Sequence, residues 1–118
     1  RAAVNAWGLE VCAEHPSLYS DTVTAIRTPE GVDAREVIRI GYDNYNASFG
    51  SGLGPLAGKV FRIGHIGDSN EGVCLTAIAL AELSLVAAGA AIRFGSGVAA
   101  AQEVYSMSQV KSVRIAAE

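Results

Sequence analysis

Cysteine is scarce in this sequence. Cys12 and Cys74 lie far apart, form no C-x-x-C pair and offer no disulfide framework. That excludes a disulfide-stapled secreted scaffold and makes a reduced, cytoplasmic setting the expectation. Both fall in stretches that read as helix, where a small, buried, apolar role is expected of them. Basic residues are few as well: nine Lys and Arg stand against twelve Asp and Glu, for a net charge of −3. They are scattered and form no run, so nothing electrostatic favours nucleic acid or an anionic membrane, and neither is expected as a partner. The two histidines cluster with no other ligand type, so no metal site is expected. The longest apolar run, residues 73–91, is broken by Thr76, Glu82 and Ser84. It suits a buried helix better than a membrane span. No signal peptide opens the chain, which begins in mid-helix pattern.

What is present points to a folded core. Of 118 residues, 50% are hydrophobic and 18% charged, which fits one compact domain and leaves no room for a second. Residues 1–14 read as a helix with Val4, Trp7 and Val11 on one stripe. It opens without a capping signal, as though cut within a longer helix. Residues 21–28 alternate and are rich in β-branched side chains, so they read as a strand. Asp33 predicts the N-cap of a second helix, with Glu36 three residues on completing a capping box. Residues 47–49 suggest a short strand, 50–58 a loop and 60–66 another strand. Asp68, followed by Glu71, predicts the start of a long helix that Gly89 ends. A last helix is expected over 98–106. The order gives an α+β fold of two layers, a small mostly antiparallel sheet packed on helices.

Two glycine-rich stretches test nucleotide binding. Residues 50–59 fail as a phosphate loop, because Leu53 and Val60 stand where Gly and Ser or Thr are required. Gly52-x-Gly54-x-x-Ala57 is followed by a strand, so no helix N-terminus is available for a pyrophosphate. Gly95-x-Gly97-x-x-Ala100 does precede a helix. Residues 90–94 and 113–115 would have to be strands, with Glu118 as the acidic residue, to complete a dinucleotide-binding unit. No further parallel strands are on offer, so this reading stands third. His65 is either functional or a hydrogen-bonded structural residue. Arg62 carries more information: it lies in Val60-Phe61-Arg62-Ile63-Gly64-His65, a strand otherwise built to be buried. Alternation puts it on the face opposite Phe61, Ile63 and His65. A guanidinium there needs a carboxylate or phosphate partner, and composition alone favours an internal Asp or Glu.

The segment Tyr45-Asn46-x-Ser48-x-Gly50-x-Gly52-Leu53-Gly54-x-Leu56-Ala57-Gly58-x-Val60-Phe61-Arg62-Ile63-Gly64-His65-x-Gly67-Asp68 resembles the C-terminal signature of class V aminotransferases, in the flavour of the serine–glyoxylate branch. Trp7-Gly8-Leu9, Pro29-Glu30-Gly31-Val32-Asp33 and Gly97-Val98-x-Ala100-Ala101 are similar too. The resemblance implies a fold-type I homodimer whose large domain holds pyridoxal 5'-phosphate (PLP) as a Schiff base to a lysine. It also implies a small domain carrying the arginine that binds the substrate α-carboxylate. Arg62 stands at that position, which reverses the reading from composition. Neither Lys59 nor Lys111 resembles the Schiff-base lysine in context. Residues 1–118 are therefore expected to be the C-terminal small domain, inactive alone, with the large PLP-binding domain missing. Its full-length parent is expected to move an amino group from serine or an alanine-like donor to glyoxylate or pyruvate. The alternative is a free-standing small-molecule-binding or dimerisation module without catalysis.

Overall fold

Gly8 decides how the chain begins. In the computed structural model, which describes residues 1–117, helix α1 spans only Ala2–Ala6 and Trp7 caps it. Gly8 follows at φ +70°, a conformation glycine adopts at little cost. The chain then turns back, with the Leu9 N–H donating to the Val4 carbonyl at 3.1 Å. Glu10–Val11 become strand β1. The helix expected over 1–14 is thus a 5-residue helix followed by a 2-residue edge strand. Cys12 lies past β1 rather than on a helix, and both cysteines are half-buried.

Strand β2, Val23–Arg27, and strand β4, Val60–Gly64, lie where alternation puts them, each shorter than read. Between them run helix α2, Ala34–Tyr45, and strand β3, Gly50–Ser51, which takes the place of the strand expected at 47–49. Helix α3, Glu71–Ala87, is capped by Asn70 and not by Asp68: the Asn70 side chain accepts from the Val73 N–H at 3.0 Å. Helix α4 runs Ser96–Ala117, well beyond the 98–106 read from pattern.

The sheet order is β1-β2-β4-β3 and every pairing is antiparallel. Phe61 faces Ile26 across the β2–β4 ladder and Arg62 faces Ala25, so the two belong to opposite faces. The Phe61 face is covered: it packs with Val4 and Trp7 of α1, Val37 of α2, and Ala81 and Leu85 of α3. Phe61, Ile26 and Leu85 are at most 1% exposed, and burying such side chains stabilises by about 1.5–3 kcal/mol each. Phe49 meets Phe61 edge-on at 5.8 Å between centroids. This is the expected two-layer α+β arrangement, with helices on one side of a small sheet.

The α2 N-terminus corrects the capping box. Asp33 accepts from the Arg35 N–H at 2.9 Å and pairs with the Arg35 guanidinium at 2.7 Å. Glu36 does not reach back to Asp33, because Arg39 holds its carboxylate at 2.6 and 2.9 Å. The bonds from Arg35 hold the Asp33 carboxyl below the usual carboxylate range. A depressed carboxyl firms the helix start above its unfolded value, and that contribution is lost as pH falls through the lower, folded value. The Arg35 amide resonance should therefore titrate with a midpoint below about 3.9, the free aspartate value. A midpoint at or above it would show that the cap does not hold in solution.

Candidate functional site

Arg62 projects from β4 on the face opposite Phe61, and it is half-buried. Its Nε–H donates to the Ser51 carbonyl of β3 at 2.9 Å. Gly50 sits directly opposite it in the ladder, and the side chain lies across that glycine. A methyl group built at Gly50 would stand 3.1 Å from Nε and 3.2 Å from Cβ of Arg62. The ion pairs among the described residues join Arg35 to Asp33 and Arg39 to Glu36 and Asp43. Arg62 is in none of them, so the internal carboxylate that composition favoured is not found among the described residues. The guanidinium is anchored by one N–H, and among those residues its terminal nitrogens have no ionic partner.

His65 lies just past β4 on the other face and is not brought together with Arg62. Its Nδ1 faces the Asp21 carbonyl at 3.1 Å and its Nε2 faces the Thr24 hydroxyl at 2.9 Å. A carbonyl can only accept, so Nδ1 carries the proton and, in the neutral ring, Nε2 accepts from Thr24. That is the hydrogen-bonded structural role. His65 also lines a cavity of about 330 Å³ between α1, α3 and the sheet, with Trp7, Thr24, Cys74 and Tyr105. Burial first, and then the Cys74 thiol beside it, push the Tyr105 phenol up to about 12. It therefore remains a donor across the physiological range.

The glycine fingerprint at 95–100 has an internal explanation. Residues 90–95 form no strand and 113–115 belong to α4, while Glu118 lies outside the described residues. No dinucleotide-binding unit is assembled. A helix does follow the glycines, and the anion at its N-terminus is the chain's own Glu82, only 3% exposed. The Glu82 carboxylate accepts from the Gly97 N–H at 2.6 Å, the Gly95 N–H at 2.7 Å and the Trp7 indole at 2.9 Å. Close approach requires glycine: a methyl at Gly97 would fall 2.4 Å from the Trp7 indole nitrogen. The other fingerprint, Gly52-x-Gly54-x-x-Ala57, lies in the β3–β4 hairpin connection, as read from sequence. Among the described residues no group of three metal-ligating side chains gathers, and no helix is long and apolar enough to cross a membrane.

No family model matches the chain. Individual proteins do. It is 50% identical over 117 residues to the L-aspartate–glyoxylate aminotransferase of Paracoccus denitrificans, covering 99% of this chain and 30% of that protein. It is 58% identical over 101 residues to the serine–glyoxylate aminotransferase of Methylorubrum extorquens, covering 86% of this chain and 25% of that one. Among solved structures, the pyridoxamine–pyruvate aminotransferase of Mesorhizobium loti superposes with a TM-score of 0.85 at 37% identity, over 92% of this chain and 28% of that chain.

Proposed function

The chain belongs to the class V aminotransferase family, of whose members it spans about a quarter to a third in length, and on that premise we propose that it is the C-terminal small domain of a PLP-dependent transaminase. The parent protein, a cytoplasmic homodimer in this reading, moves an amino group from serine or a similar amino acid to glyoxylate or pyruvate. The role of this domain is to hold the substrate. The observation that carries the proposal is Arg62: a half-buried guanidinium on the sheet face opposite Phe61, backed by a carbonyl and without a counter-ion among the described residues. A carboxylate accepts two parallel N–H bonds from such a fork. Fixing that end of the substrate fixes where its α-carbon sits, which is positioning as much as affinity.

PLP supplies the electron sink and carries the amino group between the two half-reactions. In this reading the lysine that holds it lies in the large domain: Lys59 is exposed in the turn before β4, and no chemical step is assigned to residues 1–118. Mixing the isolated chain with PLP should leave the cofactor's absorbance unchanged apart from weak, unspecific amine adducts. A stable band that disappears on changing Lys59 or Lys111 singly would overturn this. The direct test of the whole reading is to assay the longer protein carrying this segment. Serine, aspartate and alanine are offered as donors to glyoxylate and pyruvate, and the absence of amino transfer from all three would contradict it.

The cavity beside His65 favours a second reading, a small-molecule-binding module without catalysis. It predicts that an amino acid binds the isolated chain, that binding survives Arg62→Ala, and that His65→Ala abolishes it.

A further inference from the structure

The ladder that carries Arg62 also dictates which of its nitrogens are available. A guanidinium has five N–H groups: one on Nε and two on each terminal nitrogen. A carboxylate can dock on it side-on, using Nε and the nearer terminal nitrogen, or end-on, using the two terminal nitrogens. Here the Nε–H is already given to the Ser51 carbonyl at 2.9 Å. The carbonyl belongs to a strand paired with β4, so it is as fixed as the sheet.

The neighbouring residue makes that bond possible. Gly50 lies opposite Arg62, and the side chain passes directly over it to reach Ser51. A Cβ at position 50 would come within 3.1 Å of Nε, 3.2 Å of Cβ and 3.4 Å of Nη2 of Arg62. The contact at the Arg62 Cβ matters most, because that atom belongs to the ladder and cannot swing away. A side chain at 50 therefore crowds Arg62 along its length and presses the guanidinium away from the position in which it bonds Ser51.

Resting on the reading of Arg62 as the carboxylate-binding residue, we infer that Gly50 and the Ser51 carbonyl form a cradle that presents Arg62 to its carboxylate end-on, with Gly50 as a positioning residue. The cradle restricts the guanidinium before substrate arrives, so less rotamer freedom is lost on binding. It also excludes the side-on mode, which sets the direction from which the carboxylate approaches.

Two measurements test the cradle. In the isolated chain, the Arg62 Nε–H resonance should exchange with water more slowly than that of Arg93, which is exposed and donates no side-chain hydrogen bond among the described residues, at matched pH. Exchange as fast as that of Arg93 would overturn the inference whatever the kinetics show. In the longer protein, Gly50→Ala should raise KM for serine, and the inhibition constant of propionate, about 10-fold or more, with kcat changed less. In an Arg62→Ala background the same substitution should add less than about 2-fold, because Gly50 acts only through Arg62. Wild-type values for Gly50→Ala beside a large Arg62→Ala defect would sink the cradle and leave the role of Arg62 standing. An Arg62→Ala protein with unchanged KM would sink the role of Arg62 itself. A melting temperature of Gly50→Ala close to wild type confirms that the ladder is intact. If that variant does not fold, the wild-type exchange rate decides the question.

Discussion

Changing Arg62 to alanine in the longer protein will lower kcat/KM for amino-acid donors by at least about 100-fold. The magnitude follows from losing one partner of a desolvated charge pair, about 2–5 kcal/mol. Stability should hardly move. Among the described residues Arg62 makes no ion pair, and its bond to the Ser51 carbonyl is the kind of contact that contributes about 1 kcal/mol net. Arg62→Lys should recover only part of the activity, because an ammonium keeps the charge but not the planar fork. Melting curves beside steady-state kinetics separate the possibilities. An Arg62→Ala protein that unfolds would restore the structural reading that composition first suggested.

Replacing Glu82 with leucine will cost the domain on the order of 3–5 kcal/mol, a large part of the total for a chain of this size. Leucine keeps much of the volume but leaves the Gly97 N–H and the Trp7 indole buried without an acceptor, and takes the acceptor from the more exposed Gly95 N–H as well. Each orphaned donor costs about 1–3 kcal/mol. Glu82→Gln should cost less, since it keeps one acceptor oxygen while losing the charge that suits a helix N-terminus. Gly97→Ala gives a test of sign. Helix propensity alone would make it stabilising by about 1 kcal/mol, yet the added methyl would collide with the indole nitrogen at 2.4 Å and with Glu82 at 2.8 Å. Denaturant unfolding followed by Trp7 fluorescence should therefore show both variants destabilised. A neutral Glu82→Leu or a stabilising Gly97→Ala would contradict the clasp.

Much of this was legible from the amino acids because period and neighbours agree. Alternation in 60–66 placed Arg62 opposite Phe61, and the register confirms it. Asp33, read as the N-cap of the second helix, does start α2. The errors share a cause: local pattern was read where a long-range contact decides. Val4, Trp7 and Val11 do fit one helical stripe, but β2 offers an edge, and Gly8 lets the chain leave the helix to pair with it. Asp68 and Asn70 are equally good caps by type, and in the fold it is Asn70 that caps α3.

In the sequence Glu82 reads only as an interruption of an apolar run. Its partners lie 75 and 15 residues away in sequence at Trp7 and Gly97, beyond the reach of any local rule. A signal was present nonetheless: a lone carboxylate in an apolar helix and a glycine pair opening the next helix are complementary. Arg62 is the opposite case. Its place on the strand was readable, but whether an internal carboxylate meets it depends on where the Asp and Glu residues fold, which no local pattern states.

The central claim, that Arg62 exists to hold a substrate carboxylate, is tested most directly by carboxylate dependence. In the longer protein, single-turnover rates are compared for serine and for ethanolamine, the same amine without its carboxylate, in wild type and in Arg62→Ala. Wild type should favour serine by about 100-fold or more, and the variant should treat the two amines nearly alike, having lost rate only on serine. If the preference for serine survives in Arg62→Ala, the carboxylate is held elsewhere and the account of this site is wrong.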